Sequence, residues 1–182
     1  MEIIPDTKDW TWVLERPCPE CGFDTRQIQR DDVPRLLRDN AAAWAGLLDG
    51  GLDVRQRPAP TVWSPLEYAC HVRDVFRLFD ERLQRMLTED DPLYANWDQD
   101  ATAVAERYGE QDPASVSVEL HEAAERLARR FEGVRGEAWH RTGRRSDGAQ
   151  FTVQTFGRYL IHDPIHHLYD VTGERYGDVH PE

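Results

Sequence analysis

The chain has 182 residues, 40% of them hydrophobic, with six each of Trp, Tyr and Phe, a net charge of −12 and a pI near 5.0. That acidity speaks against a nucleic-acid binder, which needs a basic stripe to displace counterions from phosphates. No run approaches the ~18 apolar residues of a membrane span, and the opening MEIIPDTKDWTW lacks the basic segment and apolar core of a signal peptide, so a cytoplasmic location is expected.

The first local feature is RPCPECGFD, which places Cys18 and Cys21 in a CPxCG knuckle, the shape of half a zinc ribbon. A ribbon needs two such halves, and no second CxxC exists. Structural thiols or a minor redox pair account for the knuckle more simply than a zinc half-site. Residues 1–31 are therefore read as an N-terminal extension packed on the surface. Three cysteines, an odd number, do not suggest a disulfide framework.

Helical periodicity begins at residue 32 and runs to 49, where Leu36, Leu37, Ala41, Trp44, Leu47 and Leu48 make an apolar face that Gly50-Gly51 ends. Ser64-Pro65-Leu66-Glu67 is a capping box with proline at N1, opening a second helix that runs to about residue 88. Tyr68, Val72, Val75, Phe76, Phe79, Leu83, Met86 and Leu87 form its core-facing stripe. Cys70 precedes His71 and points about 100° away from it, as a core residue would. A long connection follows, with one short helix around residues 100 to 107. A third long helix starts near Asp112-Pro113 and reaches about residue 134. RTGRRSDGAQF reads as a polar hairpin or loop, and a fourth long helix runs from near Thr152 to about Val171. Four such helices with few strand signals predict an all-α antiparallel four-helix bundle spanning residues 32–182.

The chemistry concentrates in YLIHDPIHHLYDV, residues 159–171. On a helix, positions i and i+4 share a face, so His162 and His166 point the same way. His71 of the second helix can supply a third imidazole across the bundle core, leaving an open coordination shell of the catalytic kind. The plain alternative is a set of hydrogen-bonded boundary histidines. Pro164 lacks an N–H and clashes with the carbonyl of Leu160, costing ~3 kcal/mol in a regular helix. Asp163-Pro164 also reads as an N-cap followed by N1, which would break the helix there. Asp163 and His167 form a competing i,i+4 pair that also suits a divalent metal, with His167 otherwise placed beside the ligands. Glu67 and Asp74 are candidates to orient His71 by accepting its other N–H. His121, His140 and His180 have no evident partners and are expected at the surface. No P-loop, GxGxxG or GxSxG element supports nucleotide hydrolysis or serine-esterase chemistry.

WSPLEYACHVRDV followed by SDGAQFTVQTFGRYLIHDPIHHLYDV resembles the DinB/YfiT-like superfamily of metalloenzymes over roughly residues 32 to 171. The resemblance implies a four-helix bundle in which a second-helix histidine and a last-helix HxxxH pair bind a divalent metal. Carried over, these fall on His71, His162 and His166, with the aromatic residue Tyr159 three places before His162. Tyr169 stands where members often carry Gln or His. Against related mycothiol-dependent maleylpyruvate isomerases the register shifts by one, to Asp163, His167 and Asp170. The resemblance further implies zinc or nickel as the ion, a low-molecular-weight thiol as cosubstrate, and S-transfer or isomerisation of a small electrophile by a homodimer. A non-catalytic metal-binding or stress-associated bundle acting through dimerisation is the rival reading.

Overall fold

A computed structural model describes residue 3, residues 9–51 and residues 53–179. The four long helices are α1 (Asp32–Asp49), α2 (Pro65–Thr88), α4 (Pro113–Glu132) and α5 (Val153–Thr172), with short helices α3 (Gln99–Ala105) and α6 (Tyr176–Val179). The starts of α2, α4 and α5 are the predicted ones because each is capped locally. Ser64 Oγ accepts the Glu67 N–H while Glu67 reaches back to the Ser64 N–H at 2.8 Å. Asp112 caps α4 ahead of Pro113, and Thr152 caps α5. These contacts satisfy N–H groups that a helix start leaves without intrahelical partners.

The bundle forms because each helix carries one apolar face. Val116, Leu120, Ala123, Leu127 and Phe131 line the buried side of α4, which packs against both α1 and α2, while α5 packs on the same two helices. Every fully buried Leu or Phe in such a face stabilises the fold by about 1.5–3 kcal/mol. Arg38 of α1 ties the rim by gripping Glu125 and Glu132 of α4. Among the described residues no helix is long and apolar enough to cross a membrane.

RTGRRSDGAQF is a hairpin of β2 (Thr142–Arg145) and β3 (Gln150–Thr152), and β1 (Leu93–Tyr94) adds a parallel strand on β2. The parallel partner joins residues some fifty positions apart, which periodicity within either segment does not reveal. At Gly143 an added Cβ would lie 2.7 Å from Met86 Cγ, so only glycine lets β2 sit this close to α2.

The last helix runs as expected and one expectation is corrected. Pro164 does not end the last helix: α5 continues through it from Val153 to Thr172, and the alternative break at Asp163 is absent. The packing around α5, with Ile161 and Leu160 fully buried and Asn40 donating to the Pro164 carbonyl at 2.9 Å, outweighs the one lost backbone bond. The knuckle is not a surface appendage either. Cys18 and Cys21 are 1% and 0% exposed and, with Phe23, belong to the same apolar core as the helices. The 3-10 turn Trp10–Leu14 lies against α5, and the Cys21 carbonyl accepts the Tyr176 N–H of α6.

Candidate functional site

Because α5 is continuous, both of its i,i+4 pairs are intact, on faces about 100° apart. His162 and His166 have ring centroids 5.2 Å apart, and His167 Nε2 lies 3.6 Å from Asp163 Oδ1. What differs is the surface each pair meets. His71 of α2 faces the Asp163/His167 pair: its Nε2 is 3.4 Å from Asp163 Oδ2, and its ring centroid is 4.9 Å from that of His167. The His162/His166 pair faces the N-terminal segment, with Cys18 Sγ 3.6 Å from His166 Nδ1 and Cys21 Sγ 3.7 Å from His162 Nε2.

Two sets of donor atoms result, each within 4.8 Å of one another: His71, Asp163 and His167, and Cys18, Cys21, His162 and His166. The three histidines singled out from sequence, His71, His162 and His166, do not form one such set. The packing angle of α5 turns Asp163 and His167, not their neighbours, toward α2.

In the first set both ring nitrogens of His71 and Asp163 Oδ2 are enclosed without a hydrogen-bond partner. Buried polar atoms are nearly always satisfied, so His71 Nε2 and Asp163 Oδ2, facing each other at 3.4 Å short of a hydrogen bond, mark a place another group would fill. Two imidazoles and a carboxylate form a donor set suited to a divalent transition metal with coordination positions to spare. Outer contacts hold the donors in place. Asp170 Oδ2 accepts from His167 Nδ1 at 2.9 Å, leaving Nε2 for the cluster. Trp97 stacks on His71 at 5.3 Å and 7°, its indole N–H anchored on Thr102. Glu67 and Asp74 do not orient His71 as expected: Arg57 holds Glu67 beside the Ser64 cap, and Arg73, Arg77 and Tyr108 occupy Asp74.

Burial keeps His71 below its usual pKa, and burial together with His166 lowers His162 to about 4, so both are neutral at pH 7. Burial opposes protonation of His167 too, yet Asp163 and Asp170 outweigh it and raise that imidazole to about 10. A cation held here would take over the role of that proton. In the second set burial pushes the Cys21 thiol up to about 12.

The first set, and His162 and His166 of the second, border a cavity of about 1040 Å³ whose walls include Trp10, Phe79, Arg82, Trp97, Arg145 and Tyr159. Arg82 is only 6% exposed, donates to the Ala95 carbonyl at 2.7 Å, and has no carboxylate partner among the described residues. Arg145 is held by Asp147 and by the Tyr159 hydroxyl.

The family described as the DinB superfamily matches residues 35–171, three quarters of the chain and all four long helices. The chain belongs to the DinB superfamily. Among solved structures, YfiT from Bacillus subtilis, described as a probable metal-dependent hydrolase with an unusual four-helix bundle topology, matches with a TM-score of 0.72. The match is 18% identical and covers 87% of this chain and 91% of that one, a likeness of fold. No curated protein sequence matches the chain.

Within this DinB bundle lie His71, Asp163 and His167, whereas Cys18 and Cys21 precede the matched region. Cys70 is core, as predicted, at 0% exposure. His121 and His140 are exposed, and His180 lies outside the described residues. Arg82 was missed from sequence, where an arginine on an amphipathic helix carries no mark of burial. Its position three residues after Phe79, on the core-facing stripe, was the available signal.

Proposed function

We propose that this DinB protein is a divalent-metal-dependent enzyme whose ion is held by His71, Asp163 and His167, acting on a small anionic electrophile bound in the adjoining cavity. The observation that carries the reading is the meeting of His71 Nε2 and Asp163 Oδ2, both buried and neither hydrogen-bonded, beside the His167 imidazole. When bound, the ion supplies Lewis acidity, polarising a carbonyl and acidifying a water or thiol.

The protein's own residues do the rest. Asp170 fixes the tautomer of His167, and Trp97 holds the plane of the His71 ring. Asp163, with its side chain 36% exposed, lines the cavity while its Oδ2 stays buried beside His71. Arg82, desolvated and without a carboxylate partner among the described residues, offers a charge-assisted hydrogen bond to a carboxylate or phosphate of the substrate. Trp10, Phe79 and Trp97 give the cavity apolar walls that restrict water around the reacting groups.

The nucleophile of this reading is a low-molecular-weight thiol. It gives up its proton and forms an S–C bond as the carbon's leaving group departs with its electron pair, or it adds to the carbon and is expelled again in isomerisation. Water is the second reading, favoured by the similarity of fold to a protein described as a probable metal-dependent hydrolase. Zinc- or nickel-loaded protein incubated with activated esters and chloronitrobenzene, with and without a thiol, separates the two. Turnover only with thiol supports transfer, and turnover without it supports hydrolysis. No metal-dependent turnover of any substrate, in protein shown to hold the ion, would leave the non-catalytic bundle.

A further inference from the structure

Cys18, Cys21, His162 and His166 play no part in that chemistry, yet they are four buried, metal-ligating side chains from opposite ends of the chain meeting at one point. We propose that they bind a zinc ion in a closed structural site that clamps the N-terminal segment onto the last bundle helix.

The geometry fits a tetrahedral ion. With Zn–S bonds of about 2.3 Å and Zn–N bonds of about 2.05 Å, the sulfur–nitrogen edge of the tetrahedron is about 3.6 Å. The two sulfur–nitrogen distances are 3.6 and 3.7 Å. Thiol–imidazole hydrogen bonds would match those two edges, but they give no reason for all four donor atoms to lie within 4.8 Å of one another.

The surroundings support the same assignment. His166 turns Nδ1 toward the sulfur and Nε2 toward carboxylates, 3.5 Å from both Glu20 Oε2 and Asp170 Oδ1, the outer arrangement common to zinc-bound histidines. The knuckle turn is closed by the Gly22 N–H on the Cys18 carbonyl, and Gly22 has φ +80°, a conformation glycine adopts without a Cβ penalty. That turn brings two sulfurs three residues apart to one side. Two sulfurs and two nitrogens fill a zinc shell, so the site has no place for substrate.

Its effect is mechanical. Trp10, carried by the clamped segment, packs over His162 and His166 at 5.3 and 4.9 Å and forms part of the cavity wall. The ion thereby joins a segment outside the family match to the cavity of the bundle.

The test uses the full chain, purified without a histidine tag under reducing conditions and loaded with Co²⁺. Wild type should bind two equivalents and show a thiolate-to-cobalt charge-transfer band in the near ultraviolet. Cys21→Ser should lose that band and one equivalent while keeping its helical circular dichroism. His71→Leu should keep the band and lose the other equivalent, so the two sites fail independently. In limited proteolysis, chelator-treated wild type should be cut within residues 9–31, and metal-loaded wild type should resist. This arm stands even where Cys21→Ser does not fold. A fully loaded wild type without the charge-transfer band, a band that survives Cys21→Ser, or cleavage indifferent to chelation would overturn the proposal.

Discussion

His71→Leu should stabilise the metal-free protein and weaken the metal-loaded one relative to wild type. His71 is 1% exposed, its Nδ1 has no hydrogen-bond partner, and its Nε2 has only a long 3.4 Å contact with Asp163 Oδ2 that falls short of one. Leaving a buried polar group unsatisfied costs about 1–3 kcal/mol, so an imidazole with two such atoms is a liability that leucine removes. Losing the ring contacts with Trp97 and Trp63 offsets about 0.5–1.5 kcal/mol of this gain. The net expectation is about 2 kcal/mol of stabilisation, or a Tm higher by about 4–8 °C for a domain of this size. Zinc reverses the order. At a hundredfold excess over Kd, the intact site adds about 2.7 kcal/mol to wild type that the variant cannot gain. Thermal and urea unfolding of both proteins, stripped and then zinc-loaded, measures this double difference, and any contribution from the cysteine-containing cluster cancels because both proteins retain it. Stripped His71→Leu melting below stripped wild type, or equal zinc-induced gains, would refute the argument from unsatisfied atoms.

Asp163→Asn should weaken metal binding at the His71 cluster by at least about 10-fold, since it removes the single anionic donor; isothermal titration calorimetry on the Cys21→Ser background reads it. Arg82→Gln should raise KM for an anionic substrate by about 10- to 100-fold, the equivalent of a hydrogen bond to a charged group worth about 1.5–3 kcal/mol, and leave KM for a neutral analogue nearly unchanged; equal effects on both would remove Arg82 from substrate recognition. Glu125, hydrogen-bonded by Arg38 and then Arg129, titrates at about 2 instead of 4.5. Its folded pKa is depressed, so its contribution is fully present above pH 4.5 and lost as pH falls toward 2. Because the pair is partly solvated, that contribution is about 0.5–1 kcal/mol; Glu125→Gln should lower urea midpoints at pH 7 and converge with wild type near pH 2.

The helices of this protein were legible in its residues because their determinants are local. A serine, a proline and a glutamate at fixed spacing set the start of α2 wherever that segment lies, and apolar recurrence every three or four positions marks the face to be buried. The same locality announced two i,i+4 ligand pairs on α5, offset by one residue, and left their register open. Choosing between them required the azimuth of α5 within the bundle, a quantity summed over all its packing contacts. The folded protein keeps both pairs intact, one turned to His71 across the core and the other to Cys18 and Cys21. Cys18 stands 148 positions from His166; no periodicity spans that separation, and only the folded chain brings sulfur and imidazole together. Pro164 shows the converse case, a local rule that read as a possible helix end and was outweighed by burial along the rest of α5.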